Sequence, residues 1–163
     1  MTFARFAAAC IDAGADGVFF ATTGWATYER LTDPLYEEFG RPYDLRVLKA
    51  VEGAPLNILH VCRSRNMVWK LLDYPAHATN WATADPSNPQ LGEVWQRSHR
   101  AVIGGIDHVG TLRAGTPEAV KAEVHAAVAQ TREGLIIGPG CSIAPQTPAI
   151  NLRTARSAVD DLP

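Results

Sequence analysis

A regular alternation between short apolar runs and helically periodic segments constrains the fold of this chain most. The runs cover residues 17–21, 56–61, 77–81, 101–106 and 135–138, and turn-forming residues bound most of them. A segment with helical spacing of apolar residues follows each run. Strands that alternate with helices pair in parallel through right-handed crossovers. The sequence therefore predicts an α/β fold with about five parallel strands.

The composition of the runs places these strands inside the molecule. Their residues are mostly apolar, without the alternation of a half-exposed strand, and only 77–81, with its polar residues, is a weak strand. Parallel strands covered on both faces have this composition. The pattern is compatible with a doubly wound sheet and with part of a (β/α) barrel. We expect a single domain over residues 1–163, since no linker or low-complexity segment interrupts the chain.

The intervening segments predict helices with identifiable ends. A first helix over 3–13 places Phe3, Phe6, Ala7 and Cys10 on one face, which makes Cys10 a core residue. A second spans about 33–51, where Gly40 and Pro42 can break it in two. Shorter helices are expected at 67–72 and 90–99. The last two begin with Thr-Pro at 116–117 and 147–148, where Thr is the N-cap and Pro the first helical residue.

Composition and charge exclude several classes of function. The net charge of −2 offers no basic surface for nucleic acid or anionic lipid. No apolar run approaches the roughly 20 residues of a membrane helix, and the N-terminus lacks the pattern of a signal peptide. Three widely spaced cysteines do not form a disulfide framework. These features predict a protein of the reducing cytoplasm.

Three residues at predicted strand ends form a candidate metal site. His60 and Cys62 are two residues apart, so they share one face at the end of the second strand. Cys141 lies just beyond the last strand, after Gly138-Pro139-Gly140, whose glycines allow close approach of the backbone. One nitrogen and two sulfur ligands suit tetrahedral zinc with an open fourth position. The alternative is that both cysteines are small buried hydrophobes.

The other polar and aromatic candidates are less specific. Asp107 and His108 follow the fourth strand, where Asp107 is either a site acid or a turn cap. Asp85 or His77 could supply a fourth metal ligand. Trp25 and Trp81 follow strand ends and either line a pocket or belong to the core. His99 and His125 lie on predicted helices and are expected at the surface.

An ordered series of short motifs resembles the uroporphyrinogen decarboxylase superfamily. The motifs are AGADG at 13–17, YEEF at 36–39, ILHVC at 58–62, GGID at 104–107, GTPEAV at 115–120 and PQTPAINL at 145–152. The resemblance implies part of a TIM barrel, in which a full family domain has about twice this length. It aligns the chain with the C-terminal part of the barrel and leaves the N-terminal half without a counterpart.

The resemblance also implies two branches of chemistry. Corrinoid-dependent methyltransferases carry a His-x-Cys…Cys zinc motif, which His60, Cys62 and Cys141 resemble. Decarboxylases have a histidine near the position of Cys141, and their catalytic aspartate and substrate-binding arginines lie in the N-terminal half. Thr22 falls near a serine that binds a substrate carboxylate in the decarboxylases. From their positions after strand ends, Asp107 is our candidate catalytic residue and Trp81 a candidate for substrate binding, to which the resemblance adds Thr22.

Three hypotheses for the function follow. The first is a zinc-dependent methyltransferase that moves a methyl group from a corrinoid, carried by a partner protein, to a small thiol. The second is a decarboxylase of porphyrin biosynthesis acting on a tetrapyrrole. The third is a non-catalytic fragment or partner subunit, completed by a chain that supplies the missing barrel half. Five strands cannot close an eight-stranded barrel, so we expect the chain to self-associate.

Overall fold

Five strands form one sheet in the computed structural model, which describes residues 2–162. They lie in the order β1-β2-β3-β4-β5. The strands are β1 Phe19–Ala21, β2 Ile58–Val61, β3 Ala78–Trp81, β4 Ala101–Ile106 and β5 Leu135–Pro139. β1 pairs in parallel with β2, and β4 pairs in parallel with β5. Spatial order follows chain order without the reversal of a doubly wound sheet, so the predicted partial (β/α) barrel is confirmed.

The helices occupy the segments between the strands, largely as predicted. They are α1 Thr2–Asp12, α2 Asp33–Phe39, α3 Arg41–Lys49, a 3-10 turn Val68–Leu71, α4 Leu91–Ser98, α5 Thr111–Ala114, α6 Pro117–Gln130 and α7 Ala149–Asp160. The break at Gly40 is confirmed. A Cβ atom at Gly40 would lie 2.6 Å from the Tyr36 ring, so only glycine allows the two helices to meet there. α5 was not predicted, because one short turn carries no periodicity.

The chain divides into two compact units, each with its own buried side chains. In Met1–Asn80, helices α2 and α3 and the segment 67–74 contribute buried apolar side chains. Its fully buried large side chains are Tyr36, Leu48, Leu59, Val61, Met67, Val68, Leu71 and Tyr74. In Trp81–Pro163, helix α6 packs against β4 and α7. Its core cluster contains Ile106, Leu112, Val120, Val124 and Ala158.

The two Thr-Pro sequences behave differently at the helix starts. Thr116 caps α6 as predicted, because its Oγ1 accepts from the backbone N–H of Ala119 at 3.3 Å. The same prediction is wrong for α7, whose N-cap is Pro148. Thr147 lies instead in the preceding turn, where its N–H donates to the Ala144 carbonyl. Its buried hydroxyl has no hydrogen-bond partner within residues 2–162.

Burial at β1 and α1 differs from the prediction. β1 was expected to be buried on both faces, but the Phe19 side chain is 59% exposed and Ala21 is also exposed. Phe3 and Phe6 of α1 are exposed, and Cys10 is half-buried rather than a core residue. β1 is at the edge of the sheet within the described residues, so little structure covers it. These side chains line an apolar groove of about 770 Å³.

Within residues 2–162, no helix combines the length and the apolar character needed to cross a bilayer.

Candidate metal centre

His60 lies near the end of β2 and is fixed on several sides. Its side chain is buried, and its backbone pairs in register with Ala21 of β1. The ring atom Nδ1 lies 2.6 Å from Oδ1 of Asn80 in β3. An amide oxygen only accepts hydrogen bonds, so Nδ1 is the donor and Nε2 carries the lone pair. In this tautomer Nε2 is the ring atom able to bind a cation.

Two residues of the first strand region also contact His60. The ring of Phe19 stacks on the His60 ring with a centroid distance of 5.4 Å. The backbone N–H of Thr22 donates to the His60 carbonyl at 3.0 Å, and the Thr22 hydroxyl donates to the same oxygen at 3.3 Å. Thr22, predicted to bind substrate, is thus buried with its hydroxyl committed to the backbone of His60. Its observed contact supports the position of His60, the candidate ligand.

Cys62 follows β2 at the beginning of a tight loop and is half-buried. Arg63 and Arg65 both adopt the left-handed backbone region, with φ of 79° and 46°. Non-glycine residues are uncommon in this region, and such strain concentrates at functional sites. The loop is held from the same unit by Thr27, whose hydroxyl donates to the Ser64 carbonyl at 2.7 Å. Thr27 also forms an antiparallel bridge with Asn66.

Cys141 follows β5 and is also half-buried. The preceding Gly140 donates its N–H to the Ile106 carbonyl at 3.3 Å. A Cβ atom at Gly140 would lie 2.6 Å from the Ala82 Cα and 3.2 Å from Nδ1 of His108. Only glycine allows the backbone to pass Ala82 at this distance. The position of Cys141 in its own unit therefore depends on a glycine immediately before it.

Among the described residues, the three predicted metal ligands form the group that could hold a metal ion. His60 and Cys62 belong to the first unit and Cys141 to the second. Each of them offers one ligand atom, an imidazole nitrogen or a sulfur. Cys10, predicted to be structural, does not belong to this group.

His77 and Asp85 were considered as a fourth metal ligand, and neither has the contacts expected of a ligand within its own unit. His77 is wrong as a candidate, because it lies before β3, at the opposite end of that strand from Asn80. It is exposed, and its Nδ1 accepts from the Asn57 N–H at 2.8 Å. Asp85 lies in the loop after β3, where its Oδ1 accepts from the N–H and hydroxyl of Ser87 at 2.9 and 2.6 Å. The latter contacts are those of a turn-forming acid.

Asp107, the candidate catalytic residue, caps the turn after β4. Its Oδ1 accepts from the backbone N–H groups of Val109 and Gly110 at 3.0 and 3.1 Å. These contacts match the turn-cap alternative that the sequence left open. The neighbouring His108 is half-buried, and this burial lowers its pKa from the ordinary value while Asp107 opposes the shift. His108 is consequently a neutral imidazole at physiological pH.

The two tryptophan candidates and the two helix histidines differ in exposure to solvent. Trp81 is fully buried, and its indole N–H donates to the Pro89 carbonyl at 2.9 Å, which leaves no surface for a substrate. Trp25 is exposed beside the apolar groove, with the Arg30 guanidinium 5.4 Å from its ring. His99 and His125 are exposed, as predicted. His99 ends α4 in the left-handed conformation.

Sequence reasoning missed Asn80, the hydrogen-bond partner of His60. It lies in the fully buried strand β3, which was predicted only as a weak strand. A polar amide within an otherwise buried strand is a signal, because buried amides require partners. The sequence does not reveal which residue of another strand that partner is.

Comparison with known proteins assigns the family. The sequence model described as uroporphyrinogen decarboxylase (URO-D) matches residues 1–162. The chain belongs to this family. The family assignment confirms the resemblance that the ordered motifs predicted.

Two relatives from Methanosarcina mazei are methyltransferases by name. Methylcobamide:CoM methyltransferase MtbA is 26% identical over 149 residues, which are 91% of this chain and 42% of the relative. A solved structure of a methyltransferase from that organism superimposes with a TM-score of 0.79 at 22% identity, over 98% of this chain and 46% of the other. The chain therefore spans less than half the length of each relative. The superposition with the solved structure shows a shared fold.

Proposed function

We propose that this chain is the zinc-binding part of a methyltransferase that moves a methyl group from a corrinoid to a thiol. The donor set of His60, Cys62 and Cys141, a group that could hold a metal ion, is the observation that supports this proposal most directly. The relative MtbA also supports the proposal, because its name, methylcobamide:CoM methyltransferase, describes a reaction of this kind.

The donor set suits zinc better than the other common metals. Thiolate ligands select soft or borderline ions, while magnesium and calcium require oxygen donors. Two thiolates would balance the charge of a divalent zinc ion, and the imidazole would complete three protein ligands. Sites with three protein ligands keep a fourth position for water or substrate and are typical of catalytic zinc.

The residues around the set have separate tasks in this proposal. Bound zinc would supply Lewis acidity that favours the thiolate form of a substrate thiol at neutral pH. Cys62 and Cys141 would hold the ion through sulfur. His60 would hold it through Nε2, since its Nδ1 is bonded to Asn80. Phe19 would cover one face of the imidazole and limit its rotation.

The non-catalytic alternative also has an observation in its favour. The chain spans 42% and 46% of its two relatives, so more than half of each relative has no counterpart in these residues. Under this reading the chain would hold zinc but transfer no methyl group without a further polypeptide. The proposal for the zinc ligands is the same in both cases, and the two readings differ only in activity.

Metal analysis and a methyl-transfer assay test the proposal in sequence. We expect about one zinc per chain after purification without chelator. Cys62→Ser and Cys141→Ser should lose most of it, while the matched control Cys10→Ser should retain it. Methyl transfer is then followed as the loss of methylcobalamin absorbance in the presence of coenzyme M. Zinc that is absent from the parent chain, or retained in both ligand variants, contradicts the proposal.

A further inference from the structure

We infer that Asn80 is a positioning residue for the metal centre, which holds His60 in the tautomer and ring orientation that place the lone pair on Nε2. This inference rests on the proposed zinc-binding function for its purpose. It rests on geometry within one unit, Met1–Asn80, for its mechanism. No motif of the sequence pointed to Asn80.

The first step concerns the proton on the imidazole ring. A neutral imidazole carries its proton on either nitrogen, and the choice is set by the hydrogen bond made at one of them. Oδ1 of Asn80 is 2.6 Å from Nδ1 of His60. Because this oxygen has no proton to give, it stabilises only the form with the proton on Nδ1. That form is the one whose Nε2 can bind a metal ion.

The second step concerns the environment of this hydrogen bond. His60 and Asn80 are both about 5% exposed or less, so water contributes little to satisfying either side chain. A buried polar group that loses its partner is costly. The hydrogen bond therefore determines the tautomer more strongly here than it would at the surface.

The third step concerns the orientation of the ring. Asn80 restrains the ring edge that contains Nδ1, and Phe19 stacks on the ring face with an interplanar angle of 26°. The Thr22 hydroxyl and N–H hold the His60 carbonyl. Backbone, ring face and ring edge are thus each restrained by a different residue. Partners that orient a ligand histidine in this way typically contribute about 10–100-fold to metal affinity.

The fourth step separates this role from simple core packing. Asn57 is a suitable matched control, because it is also fully buried and lies on the same strand region as His60. Its amide donates to the Val51 carbonyl at 2.7 Å and accepts from the Val18 N–H at 3.1 Å. Loss of Asn57 removes one buried and one partly buried hydrogen bond, neither of which involves the imidazole. It should lower stability without affecting the tautomer.

Nitrogen NMR of the metal-free chain tests the inference directly. The imidazole signals are recorded with ¹⁵N-labelled histidine at a pH where the ring is neutral, and His60→Gln assigns them. The parent chain and Asn80→Asp, which keeps an acceptor oxygen, should show the proton on Nδ1. Asn80→Ala and the similarly sized Asn80→Leu should lose this preference, while Asn57→Ala should keep it. A proton on Nε2 in the parent chain, or an unchanged tautomer in both Asn80→Ala and Asn80→Leu, overturns the inference.

Zinc affinity provides a second readout, measured by competition with a chromophoric chelator. Asn80→Ala and Asn80→Leu should bind zinc about 10–100-fold more weakly than the parent, and Asn80→Asp should restore most of the affinity. Equal affinity in all variants overturns the positioning role. If the parent chain binds no zinc, the proposed function fails, while the NMR result still decides whether Asn80 sets the tautomer.

Discussion

The hydroxyl of Tyr36 in α2 lies 2.5 Å from Oδ2 of Asp44 in α3. The same carboxylate oxygen accepts from the Tyr74 hydroxyl at 3.0 Å. Burial raises the pKa of Asp44 above its ordinary value, and the two tyrosine hydrogen bonds oppose this rise. The cluster therefore ties both helices to the segment before β3, at the cost of a partly desolvated carboxylate.

We predict that Tyr36→Phe lowers the free energy of unfolding by about 1.5–3 kcal/mol at neutral pH, the usual range for a hydrogen bond to a charged group. The loss should shrink towards pH 4. Removal of a donor raises the pKa of Asp44 further, and a raised folded-state pKa costs stability as pH increases through it. Denaturant unfolding at several pH values measures the effect. Tyr43→Phe, at an exposed position, should change stability by less than about 0.5 kcal/mol, and equal losses in both variants contradict the assignment.

His108 gives a prediction with the opposite pH dependence. Burial lowers the pKa of His108 below its ordinary value of 6.5, and Asp107 only partly offsets this. The unfolded chain therefore binds a proton first as pH falls, so this residue costs stability from about pH 7 downwards. His108→Gln should flatten the decline in melting temperature between pH 7 and 5. The exposed control His99→Gln should leave the slope unchanged, and an identical slope in His108→Gln would show the prediction to be wrong.

The strands were predictable because parallel strands need continuous apolar runs, and such runs are visible in the sequence. Residues 101–106 were predicted as a strand and form β4 Ala101–Ile106. The burial of each strand was not predictable in the same way, because it depends on neighbours. Residues 17–21 have an apolar composition, yet Phe19 is exposed at the edge of the sheet.

The candidate site shows the same division between local and non-local information. His60, Cys62 and Cys141 could be selected from residue type and position at strand ends, which are local properties. Asn80 could not be selected, because its contact with His60 joins strands twenty residues apart in the chain. Thr116 and Thr147 are each followed by a proline, but only Thr116 caps a helix. Local chemistry alone does not decide between these two outcomes.

We predict that these 163 residues alone do not convert uroporphyrinogen to coproporphyrinogen. The family resemblance places the decarboxylase aspartate and arginines in a half with no counterpart here, and Cys141 stands near the position of a histidine. Chromatography of the porphyrins formed after oxidation measures the reaction, with a full-length decarboxylase as the positive control. Product above the level of a heat-inactivated sample would contradict this expectation.

We predict, finally, that a polypeptide of these residues self-associates through the apolar groove of the first unit. Phe3, Phe6 and Phe39 line this groove and are 75%, 66% and 61% exposed. Contiguous exposed apolar surface of this kind marks interaction sites or drives aggregation. Its burial is favourable by about 25 cal/mol per Å², and β1 adds an edge able to pair with another strand.

Light scattering coupled to size-exclusion chromatography measures this association across a range of protein concentrations. The parent chain should elute above its monomer mass of 17.6 kDa, and Phe6→Ser combined with Phe39→Ser should shift it towards the monomer. Val109→Ser is the matched control, because Val109 is an equally exposed apolar residue of the second unit, away from this groove. A parent chain that stays monomeric at all concentrations refutes self-association. An equal shift in the control variant refutes the groove as its cause, because loss of any exposed apolar side chain would then suffice.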